Sequence, residues 1–216
     1  MSPDRRGPRS GALLIFLATI YANAFLLGAI IMGYEMLGSR YLSPYFGGDI
    51  FTWGALISTV LLSMMIGAFA GGHLADRFPS TVLLGCLVGL ASVFFFLLPT
   101  IADGLFSVLS DAIQNERVGV LVSAFLINII PVTVLGVYMP FAVRLMIRSA
   151  AGTGRLVGSV SAVSTFGSIV GTLVTTFLLV PSIGSRDITT LFGIIAVASA
   201  LSLIALRWIW HDPQHA

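Results

Sequence analysis

The sequence predicts an all-α membrane protein with six transmembrane helices, and two observations carry this prediction. Of the 216 residues, 57% are hydrophobic and 9% are charged, whereas soluble domains carry about 25% charged residues. In addition, six long stretches contain no Asp, Glu, Lys or Arg, and each is close to the ~20 helical residues that cross a ~30 Å hydrocarbon core. These stretches are 11–34, 50–75, 78–102, 118–143, 156–185 and 188–206.

The six stretches and their short connections take up nearly the whole chain. We therefore expect one transmembrane domain at residues 11–208, between tails at residues 1–10 and 209–216. The first stretch has an alternative interpretation as a signal peptide, because three arginines precede it and Ala22-Asn23-Ala24 resembles a cleavage site. A spanning helix is favoured, since the apolar sequence continues past this site to Tyr34.

The arginines predict which way the chain crosses the membrane. All eleven basic residues are arginines, and alternating spans place eight of them on one side and three on the other. Cytoplasmic loops carry the excess of basic residues, so both termini are predicted to be cytoplasmic, in the inner (plasma) membrane. The eight are Arg5, Arg6, Arg9, Arg77, Arg144, Arg148, Arg155 and Arg207, and the three are Arg40, Arg117 and Arg186.

The first half of the chain contains three predicted spans. The first span is expected to end shortly before Glu35, which puts this carboxylate at the outer interface and makes residues 38–49 an aromatic, turn-rich loop. Trp53 begins the second span, where an indole suits the interfacial belt. Gly67 and Gly71 give this span a small-xxx-small face that lets another helix approach closely. The third span is predicted to be a lipid-facing or packing helix.

The second half begins with a polar segment. Residues 103–117 are predicted to form a short amphipathic helix on the outer surface. Pro131 in the fourth span frees a backbone carbonyl that neighbours or water must satisfy. The fifth span is the least bulky, is predicted to be central, and has Gly167 and Gly171 at positions that match the glycine pair of the second span. Such a match is expected of an inverted repeat, and homodimerisation through a glycine face would give twelve spans.

A motif between the second and third spans resembles one found in transporters. The segment is Gly71-Gly72-His73-Leu74-Ala75-Asp76-Arg77. It is similar to the cytoplasmic loop motif of the major facilitator superfamily at the same topological place, although Phe78-Pro79-Ser80 replaces the Gly and basic residues that usually follow. The resemblance implies a bundle like half of a major facilitator transporter, with Asp76 and Arg77 in a gating role.

A second resemblance covers most of the chain, and its residues fall in two groups. The first is Glu35, Arg40, Leu42, Pro44, Phe46, Gly47 and Trp53, followed by Gly71, Gly72, Leu74, Ala75, Asp76 and Arg77. The second is Gly158, Ala162, Ser164, Phe166, Gly167, Gly171, Leu179, Val180, Pro181, Gly184 and Arg186. The pattern resembles the membrane domain of fused membrane/spermidine-synthase proteins. This implies a role in polyamine metabolism. The sequence shows no counterpart of the soluble aminopropyltransferase half, so enzymatic activity is not expected.

Acidic and aromatic residues near the first loop are the candidate substrate-binding residues. Glu35 and Asp49 supply negative charge, and Tyr45 and Trp53 supply aromatic faces, a combination that suits an organic cation. Arg40 belongs to the same group, but it could instead neutralise Glu35. An interfacial carboxylate in water is the other interpretation of Glu35.

The remaining ionisable residues have simpler interpretations. Asp76 and Arg77 either gate the cytoplasmic side or form a structural latch, for instance with Arg144 or Arg148. His211 and His215 flank a proline in a short tail, so we expect no metal site. We also expect no catalytic residues, no cofactor and no nucleic-acid partner.

The leading functional hypothesis is a multi-pass membrane protein of polyamine metabolism that binds or transports a polyamine-like organic cation. One alternative is a scaffold that docks a separate soluble aminopropyltransferase through Arg144, Arg148 and Arg155. Another is a membrane enzyme of unknown reaction that uses Glu35 and the hydroxyl groups of the fifth span. The expected partners are the lipid bilayer, a second copy of the chain and, for the scaffold, the aminopropyltransferase.

Overall fold

The computed structural model describes residues 10–147 and 153–209. Most of the two predicted tails, at 1–9 and 210–216, therefore lies outside the described residues, as do Arg148, His211 and His215. The helices are α1 Ser10–Phe46, α2 Ile50–Arg77, α3 Thr81–Ala112, α4 Glu116–Gly136, α5 Tyr138–Met146, α6 Thr153–Val174, α7 Val180–Ser182 and α8 Ser185–Ile209, with a π-helical turn, Thr175–Leu179, between α6 and α7.

Within the described residues, six helical segments are long and apolar enough to cross a membrane. They are α1, α2, α3, α4 with α5, α6 through α7, and α8. Large apolar side chains also cover the exterior, such as Phe69 and Phe177, which are more than two-thirds exposed. Such a surface suits lipid and not water. The predicted all-α fold with six spans is confirmed, and the chain is a multi-pass membrane protein.

Two predicted boundaries are wrong. α1 continues to Phe46, about three turns beyond Glu35, so most of the predicted loop at 38–49 is helical. Its extension is held by buried apolar side chains, Leu42 and Phe46. α3 likewise continues to Ala112, with Phe106 fully buried. Residues 103–112 are therefore the end of a span and do not form a separate surface helix.

α1 is the central helix of the bundle. It contacts every other span, and three of its glycines meet three different helices. Gly28 lies against Ser164 of α6, Gly33 against Phe192 of α8, and Gly38 against Leu56 of α2. The prediction that the fifth span is central is wrong, because α6 packs mainly on α1 and is the least buried span. The small residues of α6 allow a close approach on one face only, the face that meets α1.

Two pairs of helices approach each other through glycines. In the first pair, α2 and α4, Gly67 lies against the backbone of Thr133, and Gly71 lies against that of Val137, the residue directly after α4. In the second pair, Gly167 and Gly171 of α6 lie against the backbone of α1 at Phe25 and Ala29. These glycines are thus covered by the chain's own helices and are not on the surface where a second copy could bind.

The two contacts are equivalent. Adding 100 to the residue number in α2 and subtracting 108 from that of its partner gives the contacts between α6 and α1. Gly67 with Thr133 becomes Gly167 with Phe25, and Gly71 with Val137 becomes Gly171 with Ala29. The same offsets convert the contact between Gly136 and Met64 into the contact between Gly28 and Ser164. Since α1 and α4 are antiparallel, as first and fourth spans, the packing forms an inverted repeat of two three-span halves.

Hydrogen bonds between helices follow the same repeat. Asn128 of α4 donates from Nδ2 to Oγ1 of Thr59 in α2, at 2.9 Å. In the other half, the hydroxyls of Tyr21 in α1 and Ser159 in α6 are 2.6 Å apart. Thr59 and Ser159 correspond under the offset of 100, and Asn128 and Tyr21 correspond within one residue. Hydrogen bonds of this kind help to hold helices together inside a bilayer.

The carbonyl released by Pro131 is satisfied by α1. Pro131 has no N–H for the carbonyl of Ile127, four residues earlier. The hydroxyl of Tyr34 donates to this oxygen at 3.0 Å, and the tyrosine is fully buried. A second tyrosine crosses in the other direction, since the hydroxyl of Tyr138 donates to the carbonyl of Ile20 at 2.6 Å. The fourth span is therefore tied to α1 by two hydrogen bonds.

We expect Tyr34→Phe to lower the free energy of unfolding by about 1–2 kcal/mol, because the Ile127 carbonyl loses its donor. Reversible unfolding in mixed micelles would measure this. Tyr45→Phe is the control, since the Tyr45 hydroxyl has no hydrogen bond to any described residue. In a Pro131→Ala background the loss should shrink, because residue 131 then supplies the N–H. An equal loss in both backgrounds would contradict this role.

We expect Gly167→Ala to lower the thermal stability in detergent, because its Cβ would overlap the carbonyl of Phe25. Gly158→Ala, on the same helix, is the matched control. No atom of the described residues lies within 4 Å of a Cβ at that position, and alanine favours a helix over glycine by up to about 1 kcal/mol. Equal midpoints for the two variants would argue against close backbone packing.

Candidate functional site

A pocket of about 560 Å³ lies at the end of the bundle that carries Arg40, Arg117 and Arg186, which we call the Arg-poor end. The pocket is open to solvent. It is formed by the last turns of α1, the later part of α3 and the beginning of α8. The lining residues are Arg40, Tyr41, Pro44, Tyr45, Asp103, Gly184, Ser185, Arg186 and Asp187.

The extension of α1 builds one wall of this pocket. Residues 40, 41, 44 and 45 fall on one side of a helix because they are one and four positions apart. The Tyr41 hydroxyl lies 2.9 Å from Oγ1 of Thr189, which ties α1 to α8. The Tyr45 ring packs on Phe106 of α3, with ring centroids 5.6 Å apart. The pocket therefore depends on the helical continuation of α1 beyond the predicted end of the span.

The charges in the pocket are two arginines and two aspartates. The Arg186 guanidinium donates to the Asp103 carboxylate and forms an ion pair that joins α8 to α3. Arg40 and Asp187 are both exposed, and neither forms an ion pair with any described residue. The pocket thus contains one neutralised pair and two separate charges of opposite sign.

Glu35 lies deeper than this pocket. It is 5% exposed, and over residues 10–147 and 153–209 it has no hydrogen bond or ion pair. Arg40 is five residues further along α1, which places it about 7.5 Å along the axis and about 140° around it. The expected alternative, a pair between Glu35 and Arg40, is not formed. By helical position, Glu35 lies between Gly28, which meets α6, and Gly38, which meets α2.

Asp49 has a structural contact. Its carboxylate caps the N-terminus of α2 by accepting from the backbone N–H of Phe51 at 3.0 Å and of Thr52 at 3.1 Å. Trp53 is partly buried in the first turn of the same helix. Neither residue lines the pocket. The cation–π contact nearby is internal, with the Arg117 guanidinium 4.4 Å from the Phe51 ring centre.

The structure therefore divides the predicted binding residues. Arg40 and Tyr45 line the pocket, whereas Glu35, Asp49 and Trp53 lie elsewhere. Four further residues with ionisable side chains complete the pocket: Tyr41, Asp103, Arg186 and Asp187. Sequence reasoning missed this grouping because Asp103 and Arg186 are 83 positions apart and belong to different spans. A sequence signal did exist for Asp49, since an aspartate directly before an apolar run is typical of a helix N-cap.

The predicted gate lies at the opposite end of the bundle. Asp76 at the end of α2 forms an ion pair with Arg144 of α5, with Oδ1 and Nε 3.2 Å apart. The Arg77 guanidinium lies over the Phe78 ring, 5.4 Å from its centre. Arg155 is exposed in the first turn of α6. A search of the described residues for three or more His, Cys, Asp or Glu side chains able to hold a metal ion found no such group.

We expect Asp49→Asn to retain the stability of the protein and Asp49→Ala to lose about 1 kcal/mol. Asparagine caps a helix about as well as aspartate, whereas alanine has no acceptor for the N–H groups. Chemical unfolding of the two variants would measure this. If Asp49→Asn were as unstable as Asp49→Ala, the negative charge and not the cap would be the contribution of this residue.

Comparison with family models, with curated proteins and with solved structures gave no match to this chain. Its resemblance to the membrane domain of fused membrane/spermidine-synthase proteins and to major facilitator transporters therefore stays a prediction from the sequence.

Proposed function

We propose that this protein binds a polyamine-like organic cation and carries it across the bilayer, with the Glu35 carboxylate as its counter-charge. The observation that supports the proposal is the environment of Glu35. The residue is 5% exposed and has no hydrogen bond or ion pair in the described part of the chain, while its carboxylate oxygens are not among the fully enclosed atoms, so a cation can reach them. An unpaired carboxylate in a membrane bundle is costly. A bound cation or proton would offset that cost, which is why intramembrane carboxylates mark transport sites.

The position of Glu35 in the repeat supports the same proposal. Transporters built from inverted repeats bind substrates and coupling ions where the two halves meet. Glu35 is on α1, the helix that contacts all other spans, and lies between the contacts with α6 of the second half and α2 of the first. A cation at this point could interact with both halves.

The two ends of the bundle suggest a path for the cation. It would enter past the tyrosines of the pocket at the Arg-poor end, and Tyr45 offers an aromatic face for an ammonium group. At the other end, the ion pair between Asp76 and Arg144 joins α2 to α5. This pair and Arg77 form the proposed gate. The substrate class comes from the sequence resemblance, which implies polyamine metabolism.

We expect purified wild-type protein in proteoliposomes to take up labelled spermidine, and Glu35→Gln to reduce the initial rate about tenfold or more, since the amide cannot replace the charge. Glu116→Gln is the matched control, because Glu116 is exposed in the first turn of α4. It should transport like the wild type. The circular dichroism and thermal midpoint of each variant would be compared first.

Two results would count against the proposal. A folded wild-type protein that takes up no spermidine would exclude this transport and favour the scaffold alternative. Equal uptake by Glu35→Gln and Glu116→Gln would retain transport and remove Glu35 from it.

A further inference from the structure

We infer that the pocket at the Arg-poor end is a separate binding site for a small zwitterion, whose anionic group binds Arg40 and whose ammonium group binds Asp187. This inference goes beyond the proposed function, in which the cation only passes the tyrosines of this pocket on its way to Glu35, and it does not depend on transport. A polyamine carries no acidic group for Arg40, and Glu35 is not among the residues of this pocket.

The charges in the pocket are the first support for a zwitterionic ligand. Arg186 and Asp103 neutralise each other through their ion pair. The two remaining charges, Arg40 and Asp187, have no ion-pair partner within the described parts of the chain. Both side chains are exposed to solvent, but a cation alone in the pocket would be repelled by Arg40, and an anion alone would be repelled by Asp187. A ligand with both charges satisfies both, through hydrogen bonds that the charges strengthen.

The beginning of α8 supplies the negative side of the pocket. α8 starts at Ser185, and Asp187 lies in its first turn, where backbone N–H groups without a partner in the helix favour a carboxylate. An anionic ligand group at this helix start would be repelled by Asp187. The anionic group is therefore assigned to Arg40 on α1 and the ammonium group to Asp187.

Shape selects the kind of zwitterion. Arg40 and Asp187 are farther apart than the 4.0 Å of an ion pair, and the pocket measures about 560 Å³. That volume is within the usual range of small-molecule sites, about 300–1,000 Å³. Tyr41 and Tyr45 line the same pocket and provide aromatic surface. An ammonium group and an acid joined by a flexible methylene chain can adjust to the separation of Arg40 and Asp187.

Two sources share this chemistry. One is a free ω-amino acid in solution. The other is the head group of an ethanolamine phospholipid, in which an ammonium group is joined to a phosphate. Both would present the same two charges to Arg40 and Asp187.

The first test is isothermal titration calorimetry on the full chain in detergent. The probe is ε-aminocaproate, and hexylamine, hexanoate and hexamethylenediamine are matched in length but lack one of its two charge types. We expect ε-aminocaproate to bind about tenfold more tightly, or better, than each of the three, since a charged hydrogen bond is lost in every comparison. Equal affinity for ε-aminocaproate and any one of them would overturn the inference.

Variants then test the two charges separately. Arg40→Gln should weaken ε-aminocaproate about tenfold and leave hexylamine unchanged, whereas Asp187→Asn should weaken both and leave hexanoate unchanged. The controls are Arg117→Gln and Asp111→Asn, which change exposed charges outside the pocket at the same end. Asp187→Glu should restore binding if a carboxylate is required. Variants that bind like their controls would overturn the inference.

The source of the ligand is identified in nanodiscs. If ε-aminocaproate binds more weakly in phosphatidylethanolamine than in phosphatidylglycerol discs, the lipid head group competes for the site. If the two affinities are equal, the site takes its ligand from solution. Both results require that ε-aminocaproate bind; a wild-type protein that binds it in neither disc would overturn the inference.

Discussion

The rest of the structure depends on the close approach of helix backbones at a few glycines. Within a bilayer, apolar side chains gain nothing by leaving lipid for a neighbouring helix, so packing distance and hydrogen bonds have to hold the bundle together. Gly167 and Gly171 bring α6 onto α1, and Gly67 and Gly71 bring α2 onto α4. Because both contacts have the same geometry, they fix the two halves around α1. Glu35 on α1 lies within that arrangement, whereas the pocket is formed where α1 meets α3 and α8.

Tyr34 and Glu35 are neighbours on α1 that differ in their hydrogen bonding. The Tyr34 hydroxyl donates to the carbonyl of Ile127, which Pro131 leaves without its usual helical donor. Glu35 is buried beside it with no partner among the described residues. Tyr34 thus stabilises the fold through a hydrogen bond, whereas the Glu35 carboxylate has no hydrogen bond or ion pair with a described residue. Five neutral side-chain atoms of the described residues are also buried without a hydrogen bond. A carboxylate is costlier to leave unpaired in a membrane bundle than these neutral groups, and Glu35 is therefore the reason to look for a ligand.

The sequence predicted the number of spans because charge-free runs are a direct physical requirement of the bilayer. It also predicted the glycine pairs of the second and fifth spans, although not which helices they meet. The ends of α1 and α3 were missed because Gly, Pro and charged residues indicate loops locally, while burial of Phe46 and Phe106 keeps the chain helical. The pocket was only partly predictable: Arg40 and Tyr45 are close in sequence, but Asp103 and Arg186 meet only through the packing of α3 on α8.

The two crossing tyrosines have a mechanical consequence. Tyr34 of α1 donates to α4 at Ile127, and Tyr138 of α5 donates to α1 at Ile20. Positions 20 and 34 are about 21 Å apart along α1, so the fourth span, which is α4 with α5, is hydrogen-bonded to α1 at two well-separated heights. Two hydrogen bonds at different heights resist both tilting and rotation of the fourth span against α1, so we expect the two spans to move together. We therefore expect a motion that opens one end of the bundle to displace the helices packed against this pair of spans and to leave the pair itself intact.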